Sequence, residues 1–114
     1  MHELSIALSM IDGVLEEARR QGDVRVEVVH LKVGDFSGVD KQALKFSYGI
    51  ACEGTPLEGS RLEIEPVPVC IYCSTCGSEH DVLSLQQLCC PNCHTPSTDI
   101  RRGTELELTA LEVS

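Results

Sequence analysis

The chain has 114 residues, 18 Asp plus Glu against 9 Lys plus Arg, a formal net charge of −9, seven cysteines and no tryptophan. That length holds one small domain carrying at most an appendage. The acid excess excludes a protein whose main partner is nucleic acid or an anionic membrane, because both need Lys and Arg against phosphate.

The chain starts Met1-His2-Glu3-Leu4-Ser5. This start has no basic segment, long apolar run or small-residue cleavage pattern, and no stretch approaches the roughly 18 apolar residues of a bilayer span. A cytoplasmic location without a membrane partner is therefore expected. Residues 4 to 20 carry Leu4, Leu8, Ile11, Leu15 and Ala18 at helical spacing, with Ala7 and Val14 beside them. This pattern predicts an amphipathic helix that Gly22 stops.

Residues 24 to 33 predict a strand whose alternation changes phase at Val28-Val29, so it either bulges there or buries both faces. A loop bracketed by Gly34 and Gly38 leads to a second helix over 40 to 52, capped by Asp40 or Ser37. Its apolar surface is expected from Val39, Ala43, Leu44, Phe46, Ile50 and Ala51. Residues 61 to 65 predict a second strand that Pro66 and Pro68 end. The section from Cys70 to about Pro96 is cysteine-rich. A last strand follows, in which Leu106, Leu108 and Ala110 alternate with Glu105, Glu107 and Thr109. The expected class is α/β: a small three-stranded sheet with two helices, plus an inserted zinc-ribbon-like module. The expected division is residues 1–68 and 99–114 for the α/β domain and 69–98 for the zinc-binding domain.

Cys73-Ser-Thr-Cys76-Gly77 and Cys90-Pro91-Asn92-Cys93 are two CxxC turns separated by 13 residues. A two-residue spacer lets two thiolates converge on one ion, and two such turns supply the sulfur tetrahedron that suits Zn²⁺. Four protein ligands leave no open position, so this zinc is expected to be structural. The set Cys73, Cys76, Cys90 and Cys93 is preferred because its two turns share no cysteine. Cys70 also forms a CxxC with Cys73, Cys89 adjoins Cys90, and His80 or His94 could replace a sulfur. Cys52, Cys70 and Cys89 otherwise read as small apolar residues. The obvious core of the segment is only Ile71, Tyr72, Val82, Leu83, Leu85 and Leu88, so metal is expected to hold it folded, contributing on the order of 10–16 kcal/mol.

His2 beside a free α-amine has its own chemistry. The Met1 amine, the His2 amide nitrogen and the His2 imidazole can form fused chelate rings, and planar nitrogen donors favour Ni²⁺ or Cu²⁺. Glu3 could add a donor.

The Met1-His2-Glu3-Leu4-Ser5 start, the Gly34 to Asp40 loop, Gly54-Thr55, Glu58-Gly59, the two CxxC turns and the closing strand together resemble the HypA/HybF family of hydrogenase nickel-incorporation proteins along essentially the whole chain. The resemblance implies a nickel metallochaperone, not an enzyme, that delivers labile Ni²⁺ to the large subunit of [NiFe]-hydrogenase. Its partners would be that subunit and the maturation GTPase; a homodimer is open, and some family members also serve urease. By position, His2 with Glu3 would hold nickel, Asp40 lies near that site, and Cys73, Cys76, Cys90 and Cys93 would hold zinc. His94 departs from the glycine common after the second turn. The competing reading is a zinc-containing protein-interaction adaptor without nickel transfer. A zinc-ribbon nucleic-acid binder is disfavoured, since residues 67–114 have only Arg101 and Arg102 as fixed cations.

Overall fold

The computed structural model describes residues 2–114. In chain order the elements are α1 (Glu3–Arg20), β1 (Val26–Gly34), α2 (Lys41–Cys52), β2 (Arg61–Val67), β3 (Cys70–Cys73), β4 (Ser78–Asp81), β5 (Ile100–Arg102) and β6 (Leu106–Val113). The strands form two three-stranded sheets, ordered β2-β1-β6 and β4-β3-β5. The chain divides into two compact units. One comprises Met1–Leu31, Val39–Glu65 and Leu108–Ser114; the other comprises Lys32–Gly38 and Pro66–Glu107.

In the first unit, α1 packs on α2. Glu3 in the first turn of α1 and Arg19 and Arg20 in its last match the sign of the helix dipole. The buried stripe of α1 is Ala7, Met10, Ile11, Val14 and Ala18. Leu4 and Leu8, expected in that stripe, are exposed. The stripe runs through positions 7, 10, 11, 14 and 18, a three-and-four spacing that leaves residue 8 to one side, while Leu4, though in line with Ala7 and Ile11, sits in the first turn. Asp40 caps α2, its Oδ1 accepting the backbone N–H groups of Gln42 and Ala43, each at 3.0 Å. The inward face of α2 is Leu44, Tyr48 and Cys52. Phe46, expected to be core, is 72% exposed, and Ile50 also faces out. Tyr48 takes the core place because its hydroxyl has a partner there, Ser60 Oγ at 2.6 Å.

Val28 and Val29 are both buried, and burial changes parity there: Val26 and Val28 are buried before the step, and Val29, Leu31 and Val33 after it. The strand β2 continues past Pro66 to Val67 rather than ending before it. It lies at a sheet edge, where a proline leaves no ladder bond unmade. The opposite edge, β6, leaves Leu106, Leu108 and Val113 substantially exposed.

In the second unit, β3 pairs antiparallel with β4 and with β5. Its buried residues include Val33, Val69, Cys70, Ile71, Cys73 and Cys90. Leu83 and Leu85, expected as core, are exposed, Leu83 by 88%. A unit with so few buried side chains needs another source of stability. The Gly34 N–H donates to Glu105 O at 2.8 Å and the Phe36 N–H to Gly103 O at 2.7 Å. A Cβ on Gly34 would lie 2.0 Å from Gly103 O.

Candidate metal centre

None of the seven cysteines is in a disulfide. Cys73 ends β3, and the chain turns at once through Ser74 and Thr75 to Cys76. The Gly77 N–H closes the turn on Cys73 O at 2.8 Å, and the His94 N–H closes the second turn on Cys90 O at 2.9 Å. Gly77 has φ +69° and His94 φ +62°. The two turns therefore share one backbone geometry, and His94 occupies a left-handed position that favours glycine.

The Sγ atoms of Cys73, Cys76, Cys90 and Cys93 all lie within 4.8 Å of one another. Cys73–Cys93 and Cys76–Cys93 are 3.6 Å apart and Cys76–Cys90 3.9 Å. Zinc with Zn–S bonds of about 2.3 Å sets its four sulfurs about 3.8 Å apart, so the arrangement fits a zinc tetrahedron. The centre has two sides. Cys73 and Cys90 are fully buried, whereas Cys76 and Cys93 are exposed.

The hydrogen bonds around the sulfurs are unequal. Cys73 Sγ accepts the Cys76 backbone N–H at 3.4 Å. Cys93 Sγ lies 3.1 Å from the Thr95 hydroxyl, which is itself 3.3 Å from the Thr75 hydroxyl. In the free thiols, the Thr95 hydroxyl and backbone N–H draw Cys93 down to about 6. Cys76 is pushed up to about 12, chiefly because its S–H is shared with Cys93 and Cys90. Thr95 and Thr75 were not singled out by spacing; the signal is a hydroxyl residue two positions after Cys93 and another within the first turn.

The remaining candidates lie elsewhere. Cys70 and Cys73 are three apart on one strand, so their side chains leave opposite faces. Cys70 Sγ meets Arg102 Nη2 at 3.1 Å, and Arg102 Nη1 pairs with Glu79 Oε1 at 3.0 Å. Burial pushes the Cys70 thiol up. Cys52 is buried beside Tyr48 and Ser60, and burial raises its thiol too. Cys89 is half-buried. His80 Nε2 is 2.9 Å from Ser78 Oγ on β4. His30 Nε2 is 2.6 Å from Glu112 Oε2.

His2 is exposed at the N-cap of α1, and its carbonyl accepts the Ile6 N–H at 3.2 Å. Glu3 Oε2 accepts the backbone N–H of Asp40 at 3.1 Å. That bond holds the Glu3 carboxyl below its ordinary range. His2, Glu3 and Asp40 thus lie at neighbouring helix starts. The Met1 amine lies outside the described residues.

Fold and cluster define a small α/β protein with four cysteines placed so that they could hold a metal ion. The chain belongs to the HypA family: the family profile described as "Hydrogenase/urease nickel incorporation, metallochaperone, hypA" matches residues 1–113. It is 46% identical over 112 residues to the hydrogenase maturation factor HypA of Roseiflexus sp. (strain RS-1), covering 98% of this chain and 91% of that protein. It is 45% identical to the HypA of Chloroflexus aurantiacus (strain J-10-fl), covering 98% of each chain. Among solved structures it resembles the solution structure of the Ni metallochaperone HypA from Helicobacter pylori, with TM-score 0.68, 26% identity, and 99% of this chain and 97% of that one covered. A second HypA solution structure gives TM-score 0.71 at 26% identity, with 100% and 97% covered. No helix among the described residues is long and apolar enough to cross a membrane.

Proposed function

We propose that this protein is a cytoplasmic nickel carrier, not an enzyme, that serves hydrogenase maturation by delivering Ni²⁺ to the large-subunit active site of a [NiFe]-hydrogenase. Family membership supports the nickel role. The observation that carries the site is the start of α1, where exposed His2 stands beside a Glu3 carboxylate held on the Asp40 N–H. An ion held at a chain end by few donors can leave by ligand exchange with a receiving site. His2, with Glu3 beside it, binds the cargo, and the Met1 amine and His2 amide complete the chelate. The partners are the maturation GTPase of the pathway and the hydrogenase large subunit.

Cys73, Cys76, Cys90 and Cys93 hold a structural Zn²⁺. Four thiolates close its coordination sphere, so it stabilises the second unit and offers no open position for chemistry. This reading divides the labour between a nickel-binding unit and a zinc-binding unit.

The test is a Ni²⁺ titration of three zinc-loaded proteins: native chain with a free Met1 amine, His2→Ala, and native chain carrying an N-terminal extension. The native chain is expected to bind one Ni²⁺, and both altered proteins to lose that affinity. Equal affinity in all three would overturn the N-terminal site and favour a zinc-containing adaptor.

A further inference from the structure

The four sulfurs are unequal in two independent respects, exposure and hydrogen bonding. Cys73 and Cys90 are buried, so reagents in water reach the centre at Cys76 and Cys93. Of these two, Cys93 Sγ has the Thr95 hydroxyl at 3.1 Å. A zinc-bound thiolate only accepts, so Thr95 is the donor to Cys93 at 3.1 Å, the shorter of its two contacts; Thr75 Oγ1, 3.3 Å away, is the weaker competing acceptor of the same proton. Thr95 is half-buried, which limits competition by water for this pair. Among the described residues, no N–H or O–H donor reaches Cys76 Sγ; its partners are the sulfurs of Cys90 and Cys93.

A hydrogen bond to a thiolate withdraws the electron pair that would attack an electrophile, and charge-assisted bonds of this kind are the stronger ones. The exposed thiolate without such a bond keeps its full nucleophilicity. We infer that Cys76 is the modification site of the zinc centre, taking α,β-unsaturated carbonyl electrophiles, while Thr95 is a positioning residue that protects Cys93. In the reaction the Cys76 sulfur gives its electron pair to the β-carbon and forms a C–S bond. The C=C π pair moves to the carbonyl as an enolate, which takes a proton from water. The resulting thioether is a poor zinc ligand, so attack at Cys76 opens the tetrahedron. The inference rests on zinc occupying this centre.

N-ethylmaleimide, which adds by this chemistry, is the probe. The zinc-loaded full chain is treated for increasing times, and adducts at each cysteine are quantified by peptide mass spectrometry, with released zinc followed by a chromophoric chelator. Cys76 is expected to react before Cys93, in step with zinc release; Cys89, half-buried and outside the centre, is followed separately. Thr95→Val is expected to speed Cys93 about tenfold, the kinetic equivalent of one charge-assisted hydrogen bond. Thr95→Ser, which keeps the hydroxyl, restores the slow rate. Thr75→Val, which removes the competing acceptor of the Thr95 hydroxyl, is expected to leave Cys93 slow, and Thr95→Ala serves if Thr95→Val does not fold. Equal rates at Cys76 and Cys93 in the zinc-loaded wild type, or no change at Cys93 in Thr95→Val or in Thr95→Ala, overturn the inference. A metal-loaded chain whose four centre thiols react as fast as after chelator treatment overturns the zinc reading itself, a different result.

Discussion

The Glu3 carboxylate accepts the backbone N–H of Asp40 at 3.1 Å, tying the first turn of α1 to the N-cap of α2. The bond favours the charged carboxylate and depresses its pKa below the ordinary 4.5. A depressed acid stabilises the fold above its unfolded pKa, and that contribution is lost as pH falls through the folded value. The Glu3 side-chain carboxyl is therefore expected to titrate with a midpoint below 4.5. The NMR signal of the Glu3 carboxyl carbon followed over an acid series would show it; a midpoint above 4.5 would contradict the contact.

Asp40 itself satisfies two donors at the start of α2, those of Gln42 and Ala43. Asp40→Ala is expected to cost about 1 kcal/mol of stability, the usual worth of an N-cap, and Asp40→Asn much less. Urea denaturation of the zinc-loaded proteins checks both. Loss of nickel affinity in Asp40→Asn with unchanged stability would separate a role at the nickel site from the cap.

The left-handed residues after the two metal turns differ, Gly77 in one and His94 in the other. A side chain in that conformation costs roughly 1 kcal/mol relative to glycine. His94→Gly is expected to hold zinc as tightly as wild type or a few-fold more tightly. Gly77→Val should weaken it, since a β-branched residue is poorly tolerated at positive φ. Competition against a chelating dye measures both, and a large loss of zinc in His94→Gly would show that the imidazole has a role of its own.

At Gly34 the constraint is space. A Cβ there would fall 2.0 Å from Gly103 O and 2.6 Å from Thr104 N, both backbone atoms that cannot rotate away. Gly34→Ala is expected to cost about 3 kcal/mol or more, at or above the top of the usual range for a single substitution. Denaturant unfolding, or a low yield of folded protein, would show it. A near-neutral result would mean the loop and the Gly103 segment can separate freely.

Zinc removal should unfold the second unit, because Leu83 and Leu85 are exposed and its buried apolar set is small. Amide signals of Ile71 and Tyr72 are expected to lose dispersion after chelation and regain it when zinc returns. A circular dichroism spectrum unchanged by chelation would contradict this.

Local pattern made several features legible in the residues themselves. Helical spacing located both helices, and Asp40 or Ser37 ahead of an apolar run marked the second start, where the structure uses Asp40. Two-residue spacers bring two sulfurs together whatever the rest of the chain does, so the convergence of Cys73 with Cys76 and of Cys90 with Cys93 is a local property. The His2-Glu3 start was equally visible. These features depend on contacts within a few residues, which sequence order encodes directly.

Other features depend on partners far along the chain. Which side of each helix faces inward was decided by packing, which buried Met10 and Tyr48 and left Leu4, Leu8, Phe46 and Ile50 outside. The choice of Cys73 over Cys70 as neighbour to the second turn follows from strand parity and from Arg102, 32 residues away, taking up Cys70. The hydroxyl on Cys93 and its absence on Cys76 likewise exist only once Thr75 and Thr95 meet across the two turns. Sequence alone thus determined which atoms are available to bind metal. Tertiary structure decided which are buried, which are hydrogen-bonded and which stay exposed, because burial and donor placement are set by contacts between segments and carry no local signature.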